Sequence, residues 1–220
     1  MREIVVNTFL TLDGVMQAPG GPEEDPAGGF KYGGWTFNYW DGMMGKAMDE
    51  FMAEPFELLL GRRTYEIFAA HWPYIKNDPT ADKFNATKKY VLSRTLNKLN
   101  WDNSYLIKDN VVKEIIKLKA QEGPELQVPG SSTLIKTLLR ENLVDIFHIW
   151  IFPVTVGKGK QLFGEGVNAS NFKLLDCKYS TTGVILTTYK PGGDLKTGSF
   201  ALENPSEAEL ARQKKHAAEK

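Results

Sequence analysis

Up to Asn142 the chain alternates short apolar runs with stretches of helical period, and after Asn142 the alternation stops. Strands are predicted at 2–11, 57–60, 89–93, 104–108 and 125–128. Between them, residues 41–54 carry Met44, Ala47, Met48, Phe51 and Met52 on one helical face. Further helices are expected after Gly61, at Asp78-Pro79 with Asp as cap and Pro in the first turn, over 109–120 with Asp109 as cap, and after Ser132. Segments 145–154, 173–180 and 183–189 then read as three strands with no helix between them, the last two joined by a hairpin across Thr181-Thr182. Strand–helix alternation buries a parallel sheet on both faces, and consecutive strands add antiparallel pairs. The expected fold is therefore α/β: a mostly parallel central sheet, helices on both faces, and an antiparallel C-terminal edge. Residues 145–152 are apolar on both faces, which places that strand in the sheet interior or at an interface.

A chain of 220 residues suits one domain with an appendage. The division expected is a domain over 1–190 and a polar tail over 191–220. Pro191-Gly192-Gly193 is read as the end of the last strand, and Ser206 with Glu209 as a capping box before a solvated, charged helix or a disordered segment. Lys plus Arg and Asp plus Glu both total 27, so there is no overall positive excess to displace counterions from nucleic acid. No apolar run reaches the ~18 residues that span a bilayer. The N-terminus begins directly in strand-like sequence, without a secretory segment, and a cytoplasmic address is expected. Cys177, the one cysteine, is read as a buried inert thiol. His71, His148 and His216 lack ligand spacing, so no metal is expected, and His71 and His148 are read as structural.

Residues 13–35 form a long Gly- and Pro-rich loop carrying Phe30, Tyr32 and Trp35, with Phe37 just beyond. Loops of this length are usually functional, and these aromatics are expected to close over a pocket. Three other segments share one design, a short strand turning into a polar, small-residue helix start. They are Leu60-Gly61-Arg62-Arg63-Thr64, Leu92-Ser93-Arg94-Thr95 and Pro129-Gly130-Ser131-Ser132-Thr133. Ligands of parallel α/β sheets bind at the carboxyl ends of strands, where helix N-termini present unpaired N–H groups to anions. Gly61 and Gly130 allow close backbone approach. Thr64, Ser131 and Ser132 add hydroxyls, and Arg62, Arg63 and Arg94 add forked, permanently charged partners for phosphate. Each junction alone is also ordinary helix-capping chemistry.

Taken in order, Thr11-Leu12-Asp13-Gly14-Val15, Leu60-Gly61-Arg62-Arg63-Thr64-Tyr65-Glu66, Lys89-Tyr90-Val91-Leu92-Ser93-Arg94, Gly130-Ser131-Ser132 and Pro153-Val154-Thr155-Val156-Gly157-Lys158-Gly159 resemble the dihydrofolate reductase superfamily. The nearer likeness is to stand-alone proteins similar to the reductase (RibD C-terminal) domain of riboflavin biosynthesis, over residues 2–190. The resemblance implies a dihydrofolate-reductase-like fold, a homodimer and an NADPH site. Gly61, Arg62, Arg63, Thr64, Ser93 and Arg94 would grip the adenosine 2′-phosphate and its neighbours. Gly130, Ser131, Ser132 and Thr133 would lie under the pyrophosphate, and Asp13 and Gly14 near the nicotinamide.

By the same resemblance the activity is hydride transfer from NADPH to a small heterocyclic or carbonyl substrate, as in 5-amino-6-(5-phosphoribosylamino)uracil reductase. Dihydrofolate or pterin reduction and NADPH binding without turnover are the alternatives. The family's usual Gly-Gly at the pyrophosphate turn is Gly130-Ser131 here. The acidic residue that orients a pterin has Asp41 or Asp49 as its counterpart at poorly matching spacing, and Asp41, equally a helix cap, is the candidate proton source.

Overall fold

The computed structural model describes residues 1–164 and 167–219. Eight strands form one sheet in the order β4-β3-β2-β5-β1-β6-β8-β7. The strands are β1 (Ile4–Thr11), β2 (Phe56–Gly61), β3 (Lys89–Leu92), β4 (Ser104–Ile107), β5 (Glu125–Pro129), β6 (Ile146–Phe152), β7 (Ser170–Tyr179) and β8 (Ile185–Asp194). The first six pair in parallel, while β8 runs antiparallel to both β6 and β7. The helices are α1 (Gly42–Ala53), α2 (Arg62–Ala69), α3 (Pro79–Ala86), α4 (Val111–Ala120), α5 (Ser132–Arg140) and α6 (Glu207–Ala218).

Both faces of the parallel part are covered, because each strand carries apolar residues in both phases. Ile4, Val6 and Leu10 of β1 and Phe147 and Ile149 of β6 pack with Ile115 and Leu118 of α4 and Leu134, Ile135 and Leu138 of α5. On the opposite face, Leu58 and Leu60 of β2 pack with Met52 of α1 and Tyr65 of α2, and Trp150 and Phe152 of β6 pack with Met44 of α1. β6 lies between β1 and β8, so the doubly apolar strand is interior.

Three local expectations are corrected. Cys177 is exposed, because β7 is the outermost strand and most of it lies beyond the helical cover. Pro191-Gly192-Gly193 does not end β8, which continues to Asp194 opposite Ser170. The β6 ladder stops at Tyr189, so beyond it β8 has a single neighbour and a proline can present its donor-free side outward. The cap of α4 is Asn110 in a left-handed conformation, not Asp109. The hairpin at Thr181-Thr182 forms as expected, closed by Ser180 N–H donating to the Val184 carbonyl at 2.8 Å. In the tail, Ser206 accepts from Glu209 N–H at 3.3 Å and starts the solvent-exposed α6.

Lys89 of β3 is fully buried. Its ammonium donates to the carbonyls of Asn85, Thr87 and Asp102 at 3.0, 2.7 and 3.1 Å and lies 4.2 Å from the Trp101 ring centroid. Burial pulls its pKa down to about 8 against the pull of Asp102, so it keeps its charge at pH 7. Lys89→Met strips three carbonyls of their donor and is expected to cost about 3 kcal/mol in chemical denaturation at pH 7.

Candidate functional site

A cleft of about 1430 Å³ runs along the carboxyl ends of the parallel strands. It is lined by Gly61, Arg62, Arg63 and Thr64 after β2, by Ser93 and Arg94 after β3, and by Gly130, Ser131, Ser132 and Thr133 after β5. The three junctions are neighbours because β3, β2 and β5 are consecutive in the sheet.

Ser131 fastens two of them together. It accepts from Gly61 N–H at 3.0 Å and donates to Thr64 Oγ1 at 2.7 Å, across about seventy residues of sequence. To do so it adopts a left-handed backbone (φ 66, ψ 58) directly after Gly130 (φ 62). A serine there carries a cost of about 1 kcal/mol that glycine would not. With the Ser131 hydroxyl spent between strands, neither α2 nor α5 has a side-chain cap. Their first N–H groups and positive dipole ends are left for an anion.

The cations differ in availability. Arg62 is clamped by Glu66 one turn on, at 2.9 and 3.0 Å. Arg63 pairs with Asp25 at 3.2 Å, and Asp25 also holds Lys160. Arg94 is exposed and has no ion pair among the described residues. It is the cation a phosphate would meet unopposed.

The long loop does wall the cleft, through a different part than its aromatics. Residues 16–25 and Trp40 line it, whereas Phe30, Tyr32, Trp35 and Phe37 do not. Trp35 instead packs edge-on to Phe152 at 5.3 Å and donates its indole N–H to the Gln17 carbonyl at 2.8 Å. The Gln17 amide donates to the Asp25 and Ala27 carbonyls, each at 2.9 Å. A Cβ on Gly33 would sit 2.3 Å from the Gly21 carbonyl oxygen, so the loop's two halves close only on glycine. Glu24, in the cleft wall, has its pKa raised by burial, opposed by the amides of Gly20 and Gly21.

Asp13, Gly14 and Asp41 do not line the cleft. Asp13 is a staple: it accepts from Thr11 Oγ1 at 2.5 Å and from Gly157 N–H at 2.7 Å, tying the end of β1 to the segment after β6. Burial opposes its charge, but these bonds outweigh it and lower its pKa. Gly14 makes the adjoining turn at φ 78. Asp41 caps α1, accepting from Met44 N–H at 2.9 Å, and accepts from Thr181 Oγ1 and N–H at 2.6 and 2.9 Å. The Thr181 hydroxyl leads in lowering its pKa. The expected proton source is thus an ionised anchor between helix and hairpin.

The floor holds groups that sequence reading passed over. Asn7 pairs in register with His148, His148 with Thr188, and Thr188 with Asp176, and all four line the cleft. One polar row thus crosses β1, β6, β8 and β7. His148 Nδ1 lies 3.0 Å from Thr188 Oγ1, and its ring meets Phe51 of α1 at 5.1 Å. Burial lowers its pKa, with Asp176 pulling the other way. The available signal was a polar residue in the core phase of an apolar strand, at Asn7 and again at His148.

Residues 2–186 match the RibD C-terminal domain family. The uncharacterized protein YyaP of Bacillus subtilis is 29% identical over 202 residues, covering 87% of this chain and 96% of its own. Among solved structures, a candidate riboflavin biosynthesis protein from Shewanella sp. PV-4 superposes with a TM-score of 0.62 at 22% identity, covering 86% of this chain and 98% of its own. Dihydrofolate reductase from Enterococcus faecalis, solved with NADP(H), gives a TM-score of 0.55 at 16% identity, over 86% and 96% of the two chains. The fold is dihydrofolate-reductase-like, as expected.

Ser131→Ala removes both bonds of the bridge and keeps the left-handed strain. It is expected to lose about 1–2 kcal/mol of stability in denaturant titration, and Ser131→Gly less, because the strain goes with the side chain.

Proposed function

We propose that this chain, which belongs to the RibD C-terminal domain family, is an NADPH-dependent reductase of a small heterocyclic or carbonyl substrate. The observation that carries the reading is the convergence of three strand-end junctions, two of them uncapped helix starts, on one rim of one cleft. Uncapped N-termini in a cleft suit anions, and a dinucleotide supplies several. The donor set fits: the first amides of α5 under the pyrophosphate, the first amides of α2 with the free O–H of Thr64, and Arg94 with Ser93 at the 2′-phosphate. The bound cofactor would supply hydride. The protein would supply placement and exclusion of water, with residues 16–25 as the outer wall.

The NADP(H) in the related fold from E. faecalis supports this choice of ligand. The likeness to the RibD family favours a heterocycle close to 5-amino-6-(5-phosphoribosylamino)uracil as substrate. In this reading the protein is also a homodimer: β7 leaves its outer edge unpaired, with Leu174 and Leu175 nearly half exposed.

NADPH at ~100 Kd should stabilise the protein by ~2.7 kcal/mol, read as a rise in Tm. Arg94→Ala is expected to weaken NADPH at least about tenfold and NADH little, while Arg62→Ala, whose charge Glu66 already engages, does less to NADPH. Equal losses for both dinucleotides would remove Arg94 from the 2′-phosphate. NADPH oxidation across aminouracils, pterins and quinones then separates a reductase from a binding protein.

A further inference from the structure

The rim accounts for a cofactor but leaves the polar row on the floor without a task. Asn7 is its most telling member. Both amide atoms are buried and have no hydrogen-bond partner among the described residues, in a strand whose next residue of the same phase is Phe9. An apolar side chain would fill that position without the cost of an unpaired amide, about 1–3 kcal/mol. A group kept there at such a cost is spare bonding capacity, an NH2 donor and a carbonyl acceptor, on a residue of the cleft lining. His148 is spare in the same sense. Thr188 engages Nδ1, and Nε2 has no hydrogen-bond partner among the described residues.

We propose that Asn7 and His148 form the proton-delivering half of the site: the Asn7 amide turns from its buried position to hold the heteroatom edge of the substrate, and His148 Nε2 passes its proton to that heteroatom. The assignment rests on the reductase reading above. In the step, the substrate C=O or C=N carbon takes hydride from a reduced nicotinamide and forms a C–H bond. The π pair moves onto the heteroatom, which takes the proton from the imidazolium. The imidazole left behind is reprotonated from water in the open cleft. Thr188, through Nδ1, fixes the ring so that Nε2 is the atom presented.

The charged surroundings of His148 are few. From β7 come Asp176 and Lys178, and from α1 comes Glu50. Lys178 Nζ lies 3.7 Å from Asp176 and 3.9 Å from Glu50. β1 and β8 contribute the uncharged Asn7 and Thr188. Burial therefore favours the neutral ring, and Asp176 favours the imidazolium. A proton donor of this kind makes turnover fall as pH rises through the histidine's pKa, which lies below the ordinary 6.5. Asp176→Asn should move that limb to still lower pH. Glu24, whose pKa burial raises, also lines the cleft, and Glu24→Gln should leave the limb in place.

The test has two arms on the full-length protein. First, the His148 ring is followed by NMR during a pH titration, with NADP⁺ bound and with or without 5-nitrouracil, a heterocycle whose ring carries negative charge near neutral pH. The pKa of His148 is expected to rise by about one unit or more with the probe. In Asn7→Leu the probe should no longer bind, while the variant's Tm rises because a buried unpaired amide has gone. An unmoved His148 titration in the wild type, or Asn7→Leu binding the probe as well as wild type does, overturns the proposal. Secondly, with a substrate from the panel that turns over, His148→Gln is expected to lower kcat about 100-fold or more and to abolish the limb. A limb that survives in His148→Gln also overturns it. The NADPH-induced Tm shift should persist in Asn7→Leu and His148→Gln. Its absence from the wild type signals failure of the cofactor reading, and its presence with a silent His148 signals failure of this one.

Discussion

One hydroxyl sets the geometry of the cleft rim. Ser131 joins the start of α5 to the start of α2 by accepting from Gly61 and donating to Thr64. Hydrogen bonds of this length fix the two helix starts relative to each other, and their uncapped N–H groups face one space as a result. The left-handed conformation at Ser131 is the condition for this. A right-handed residue would carry the hydroxyl elsewhere, and a glycine would have none to offer. Strain at one residue is offset by two bonds.

The same cleft divides by chemistry. Along the rim, backbone amides and Arg94 suit phosphates. Across the floor, Asn7, His148, Thr188 and Asp176 occupy one phase of four adjacent strands, where neighbours would otherwise be apolar. The antiparallel edge makes this row possible. β8 and β7 extend the sheet beyond the last parallel strand and bring Thr188 and Asp176 to the side of His148 opposite Asn7. Asp41 and Asp13 serve the same end indirectly. One ties the hairpin of that edge to α1, and the other ties the end of β1 to the segment following β6.

The long loop shows how a correct general expectation can attach to the wrong residues. Its length and glycine content announced a wall for a pocket, and residues 16–25 form one. The aromatics serve the loop's own packing instead: Trp35 is held by Gln17 and by Phe152. Aromatic rings in a glycine-rich segment signal burial of some kind, and sequence does not say whether the buried partner is a ligand or the protein itself.

By itself the sequence determined what depends on near neighbours in the chain. Hydrophobic period fixed strands and helices, cap and turn residues fixed most helix starts, and the change after Asn142 fixed the parallel body with its antiparallel edge. The strand-end motifs at Gly61 and Gly130 were legible because a turn from strand to helix is a local event, whereas the one at Ser93, expected to open a helix, leads into a loop. Tertiary structure alone decided what depends on register between strands far apart in sequence. It paired Ser131 with Thr64, and Asn7 with His148. It engaged Arg63 with Asp25 while leaving Arg94 unopposed, and it turned Asp41 from candidate acid into anchor. Such partnerships are set by which strands lie side by side and in what phase, a relation that hydrophobic period constrains only to a face of the sheet.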